Sequence, residues 1–243
     1  MDRIVLDEKV DIGKEFLIKG PPLEALCFQG GRVGSLVTLT DSEGCDFRGR
    51  VTRLSKTEGS LFIFEAFSLP TESSLEIILL QALPEKERME LIIQKTTELG
   101  VSTILPFQAE RSISLREREA KQRKAHRWQH IAVRAVQQSR RAKVPYIGDC
   151  RPLEEILGDF GEDTLKIFLW EKAGESLKSV LRQHPSQKIC VVVGPEGGFT
   201  EEEVKSAKKK GFIAVKLGQR ILRTETAAIV LVGILQFELG DLG

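Results

Sequence analysis

The chain has 243 residues, an apolar share of 41% and a formal net charge of +1. That length holds one large domain or two modest ones, and the composition is that of an ordinary globular protein, neither disordered nor fibrous. The opening "MDRIVLDEKVDIG" lacks the basic and apolar regions of a signal peptide, and no apolar run nears the roughly 20 residues that span a bilayer, so a soluble cytoplasmic protein is expected.

Up to about Phe67 the apolar residues fall in short alternating runs, "SLVTLT", "RGRVTRL" and "SLFIFEAF", separated by the turn-like "DSEG" and "TEGS". Period-two patterns at this spacing predict a small all-β domain, a barrel or a sandwich, over residues 1–70. "SLPTESS", Ser68 to Ser74, reads as the boundary.

From Leu75 the period changes. "LEIILLQAL", "VSTILPF", "LKIFLW", "KICVVV" and "FIAVKLG" are strand-like, and between them lie helical stretches such as "EKERMELIIQKTTELG" and "TEEEVKSAKKKG". Strands separated by single helices predict an α/β domain over 71–243 with a mostly parallel sheet covered on both faces. Gly100 should end the helix that begins near Glu85. Thr200 and Glu203 have the spacing of a capping box, with Gly211 ending that helix. A final apolar helix is expected from about Thr226 to Leu239.

Between Arg111 and Lys143 there are eleven Lys and Arg against two acids, Glu117 and Glu119. Such an imbalance inside a neutral total is either a solvated helix face or the footprint of a phosphate backbone. The four cysteines are scattered without a CxxC pair, so neither a disulfide framework nor a zinc site is expected. His126 and His130 stand four apart but lack the Glu of HExxH, and no metal is expected.

Ligands of open parallel sheets sit beyond the carboxyl ends of the strands, which draws attention to two loops. In "GPEGGF", Gly194, Gly197 and Gly198 permit close approach of backbone to ligand, and Pro195 stiffens the turn. Glu196 brings negative charge and the lysine of GxxxxGK[ST] is missing, which argues against a triphosphate; the loop on its own is either a structural turn or a site for a cationic nucleoside such as S-adenosylmethionine. In "LGQRILRTETAA", Thr224 or Thr226 is expected to cap the final helix. Arg223 is unexplained by capping, because a cation is disfavoured at the positive end of a helix dipole.

"GPEGGFTEEEV", "LGQRILRTETAA" and "RMELIIQKTTELGVSTILPFQAERS" together closely resemble the ribosomal RNA uracil-N3 methyltransferases of the SPOUT class. The resemblance covers the whole chain and is strongest from Leu75 to Gly243. It implies a C-terminal SPOUT domain with a deep trefoil knot, a PUA-like N-terminal barrel that binds RNA, a homodimer, S-adenosylmethionine as methyl donor and 16S ribosomal RNA of the small subunit as partner.

Carried over by motif, the cofactor would meet Leu169 and Glu171 after one strand, Gly194, Pro195, Glu196, Gly197 and Gly198 after the next, and Leu217, Gly218, Ile221, Leu222, Arg223, Thr224 and Thr226 after the last. Glu110, Arg111 and Ser112, with Trp128, Gln138, Ser139, Arg141 and Pro145, match a region expected near the substrate. Arg3, Arg111, Arg123, Arg127, Arg140 and Arg141 are the candidate RNA contacts. Arg223 or Arg141 is the candidate for stabilising a uracil anion, with Glu225 as the weaker candidate for a base. The chain departs from the family in having Gln137 where many members have Glu, Arg140 where many have Gly, and Gly30 at an arginine position. A SPOUT enzyme with another ribosomal or transfer RNA target and a noncatalytic RNA-binding assembly factor are the alternatives.

Overall fold

The computed structural model describes residues 3–28, 30–67, 72–112, 126–139, 141 and 143–243. The chain forms two compact units, one of residues 1–72 with 136–143, the other of 73–135 with 144–243. The first takes in a short segment from the middle of the chain.

In the first unit the three alternating runs are strands β3 (Leu36–Thr40), β4 (Asp46–Leu54) and β5 (Gly59–Ala66). With β1 (Arg3–Val5) and β2 (Glu15–Ile18) they make a five-stranded sheet in the order β1-β3-β4-β5-β2. Alternation puts Ile18, Val37, Leu39, Phe47, Val51, Leu61 and Ile63 on one buried face. The unit is not all-β, because Pro21–Phe28 is a helix. Its proline sits at the first helical position, where no N–H is needed, and Leu23 and Leu26 anchor it in the core. Eight residues are too few for a clear helical period, which is why alternation elsewhere hid it.

The second unit is built on an eight-stranded sheet whose recorded pairings are all parallel. Its strands are β6 (Glu76–Ala82), β7 (Thr103–Gln108), β8 (Tyr146–Ile147), β9 (Arg151–Pro152), β10 (Leu165–Leu169), β11 (Glu175–Ser176), β12 (Lys188–Val193) and β13 (Ile213–Lys216). They run in the order β11-β13-β10-β12-β6-β7-β8, with β9 also on β7. Successive side chains of one strand point to opposite faces, so Ile77, Leu79, Ile189 and Val191 enter one core layer while Ile78, Leu80, Cys190 and Val192 enter the other. Helices Lys86–Glu98, Leu177–Gln183 and Thr224–Leu239 cover the first layer; Glu201–Lys209 and the short Leu153–Ile156 cover the second.

The expected helix ends are present. Gly100 and Gly211 adopt φ of 92° and 86°, and Thr200 and Glu203 make both halves of the capping box. The last helix differs: it begins at Thr224, two residues early, with Arg223 at its N-cap and no side-chain cap. Neither Thr224 nor Thr226 caps it.

Burial pushes the Cys190 thiol well above its ordinary pKa, against a smaller opposing pull from Lys166, so it is a packing group and not a nucleophile. None of the four cysteines forms a disulfide among the described residues. Among the described residues no helix is long and apolar enough to cross a membrane.

Candidate active site

Because β10 lies between β12 and β13 and all three are parallel, the loops that follow them leave the same edge of the sheet side by side. Leu169 and Glu171, the Gly194–Phe199 loop and the Leu217–Arg223 segment therefore follow three neighbouring strands on that edge.

Two of these loops are tied by a buried polar relay. Thr224 Oγ1 donates to the Gly194 carbonyl at 2.6 Å and accepts from Gln81 Nε2 at 3.0 Å. A threonine hydroxyl has one proton, and Gly194 takes it, so the Gln81 amide must present its N–H side. Gln81, fully buried at the end of β6, also donates to the Ala82 carbonyl. Thr224 thus positions the glycine loop, and the helix stays uncapped because its N-cap residue, Arg223, carries no acceptor. Gln81 escaped the sequence reading, although a lone amide closing the apolar run "EIILLQA" was a usable signal.

The glycines have separate reasons. A Cβ on Gly194 would lie 2.7 Å from the Phe199 ring, and one on Gly197 would lie 3.0 Å from Arg111 Cβ. Gly198 has φ of 68° with open space around it, a conformation costly for other residues. Phe199 in turn packs on Phe107 and Phe168.

Glu196 does not greet a ligand freely. Its Oε1 accepts from Arg88 Nη1 at 2.8 Å and from the Glu85 backbone N–H at 3.3 Å. Arg88 Nε stands 3.9 Å from Glu225 Oε2, beyond hydrogen-bond reach, and that oxygen is buried with no hydrogen bond. Gln81 Oε1 is buried and unpartnered as well. Arg88 was not among the expected site residues; a charged run such as "EKER" carries no signal of which residue turns inward.

From Gly218 to Leu222 no backbone group makes a hydrogen bond among the described residues, and Ile221 is 87% exposed. The main chain there is free for a ligand. Arg223 is exposed and makes no ion pair among the described residues. Main-chain donors and acceptors, an exposed apolar side chain and buried acceptors on Gln81 and Glu225 fit a polar, cationic adenosyl compound, and no lysine-bearing phosphate loop is present. A cleft of about 400 Å³ lined by residues including Trp170, Lys172, Gly174, Lys208, Phe212 and Ala214 shares no residue with the Gly194 or Leu217 loops.

The candidate RNA contacts divide. Arg111 donates to the Gly197 carbonyl at 3.2 Å and so braces the glycine loop. Arg141 belongs to the first unit, where it is 5% exposed and ion-paired to Glu72 at 2.8 Å; its guanidinium has an internal partner that the sequence did not announce. Arg3 lies in β1 and Arg127 in the helix His126–Ser139. Arg123 and Arg140 lie outside the described residues.

Residues 71–236 match the model of an RNA methyltransferase domain family. The chain is similar to the ribosomal RNA small subunit methyltransferase E of Bacillus subtilis, 30% identical over 211 residues, which are 84% of this chain and 82% of that protein. The Aquifex aeolicus protein of that name is 34% identical over 196 residues, 79% of this chain and 82% of its own length. Among solved structures, a ribosomal RNA small subunit methyltransferase E from Neisseria gonorrhoeae bound to S-adenosyl methionine is 34% identical with a TM-score of 0.78, covering 100% of both chains. A methyltransferase from Legionella pneumophila in complex with the same cofactor is 30% identical with a TM-score of 0.71, over 99% of this chain and 98% of that one.

Proposed function

Because this chain belongs to the RNA methyltransferase family that includes the ribosomal RNA small subunit methyltransferases E, we propose that it is an S-adenosylmethionine-dependent enzyme methylating N3 of a uracil in 16S ribosomal RNA. The observation that carries the reading is the Gln81–Thr224–Gly194 relay, which joins the glycine loop to the end of the 217–223 segment, whose main chain from Gly218 to Leu222 makes no hydrogen bond among the described residues.

Gly194 to Gly198 and Leu217 to Leu222 would hold the cofactor through main-chain groups, with Ile221 against its apolar surface. When bound, S-adenosylmethionine supplies an electrophilic methyl on a sulfonium. The chain's main task is alignment, since fixing nucleophile and electrophile in line is worth roughly 7 to 11 kcal/mol, whereas a general base typically adds about 10²- to 10⁴-fold. Uracil N3 must lose a proton to become nucleophilic. Arg223, exposed at the N-terminus of a 16-residue helix, offers its own charge and that of the helix dipole to the developing anion. Glu225, with its side chain 14% exposed and one buried oxygen that makes no hydrogen bond, is the carboxylate available to take the proton.

The reading extends to a knotted second unit, a PUA-like first unit and a homodimer. Exposed Val230 and Phe237, seven apart on the final helix, form one apolar stripe that supports a dimer face.

Incubation with labelled S-adenosylmethionine and small subunits from cells lacking the modification should place one label on uracil N3. Uptake of ATP with no affinity for the methyl donor would overturn the assignment. For the basic segment, Arg123→Glu combined with Arg127→Glu should weaken RNA binding and leave cofactor affinity unchanged, with the salt slope falling by about 0.7 per lost phosphate contact. Equal loss of both affinities in calorimetry would refute this division of labour.

A further inference from the structure

The solvent face of the five-stranded sheet is not a plain polar surface. Side chains two apart on a strand share a face, about 7 Å from one another, and on β5 those positions are Phe62 and Phe64, 40% and 41% exposed. Leu17 on β2 and Leu36 on β3 are also exposed. The pairing register sets Leu36 opposite Arg50, Arg50 opposite Phe62, and Phe62 opposite Glu15, in one row across four strands. Arg53 is exposed on the same face, paired with Ser60. Arg48 is already engaged, by Glu65 at 3.3 Å and over the Phe67 ring at 5.1 Å.

We infer that this face binds single-stranded RNA, with bases stacking on Phe62 and Phe64 and phosphates meeting Arg50 and Arg53. Two rings on one strand, flanked by guanidinium groups on the next, are the elements of a sheet platform for unpaired bases. Aromatic residues and Arg also occur at protein interfaces; the choice of RNA follows from two exposed guanidinium groups, Arg50 and Arg53, beside the two rings. Glu15 lies at the end of the row, and Glu65 is neutralised by Arg48, so the middle of the face stays basic and aromatic. The inference rests on the proposed function for the nature of the RNA, and it names where in the first unit the strand outside the active site is held.

The test uses the full chain and an end-labelled oligouridylate followed by fluorescence anisotropy. Phe62→Leu and Phe64→Leu keep the apolar area and remove the stacking faces, and each should weaken single-strand binding about tenfold. Arg50→Gln should lower the salt slope by about 0.7. Melting temperature and cofactor affinity should stay at wild-type values, since these side chains are on the surface of the other unit. Unchanged oligouridylate affinity in both leucine variants, or equal wild-type affinity for duplex RNA, would overturn the inference. So would variants that lose small-subunit binding yet keep oligouridylate affinity, which would assign the face to a protein. Absence of cofactor binding by the wild type would sink the proposed enzyme while leaving the stacking result to be read independently.

Discussion

An Arg141→Met variant is expected to lose about 3 to 5 kcal/mol of stability, the range found when one partner of a buried ion pair is removed. The guanidinium is 5% exposed and meets both oxygens of Glu72, Nη2 to Oε2 at 2.8 Å and Nε to Oε1 at 3.3 Å. Glu72 Oε1 also accepts the Lys143 backbone N–H at 3.0 Å, so the same carboxylate ties the 136–143 segment into the first unit. Methionine leaves that carboxylate, only 17% exposed, without its main counter-charge. Adding Glu72→Leu should restore much of the loss, because two apolar groups of similar volume need no partner. Urea denaturation measures both steps. The paired variant also separates the two roles assigned to Arg141: recovered stability with recovered methyl transfer makes it a structural cation, whereas recovered stability with transfer still depressed makes it a participant in catalysis.

The second large effect is expected at the relay. Thr224→Val preserves shape and removes the hydroxyl, so the Gly194 carbonyl loses its 2.6 Å donor and the fully buried Gln81 amide loses its 3.0 Å acceptor. Each stranded polar group costs about 1 to 3 kcal/mol, and the glycine loop is no longer held to the helix that carries Arg223. Thermal denaturation should show the instability, and calorimetry should show weaker S-adenosylmethionine binding. Thr224→Ser keeps the hydroxyl and should behave nearly as wild type. A valine variant with unaltered melting temperature and cofactor affinity would refute the role given to this hydroxyl.

The glycine loop illustrates how far residue types lead. "GPEGGF" announced a turn beyond a strand, and the structure puts it beyond β12. The expected reason, close approach of a ligand, is only part of the account. Gly194 is small because of the Phe199 ring, Gly197 because of Arg111, and only Gly198 needs its backbone freedom. Glu196 was legible as a carboxylate in the loop. Its attachment to Arg88 was not, since the two are 108 residues apart. Thr224 likewise looked like a cap because caps are local, while its real partners come from β6 and from the loop after β12.

Alternation and helical spacing, which depend on near neighbours, were enough to determine the parallel α/β class of the second unit, the strands β3 to β5, the capping box at Thr200 and the glycine ends at Gly100 and Gly211. Three long motifs in order were enough to point to the family. What only the tertiary structure decided is which distant groups meet: Thr224 with Gly194 and Gln81, Arg88 with Glu196, Arg141 with Glu72. The physical reason is that a side chain's distant partner depends on which strands become neighbours and which face each residue presents, and no pattern along the chain encodes that adjacency directly.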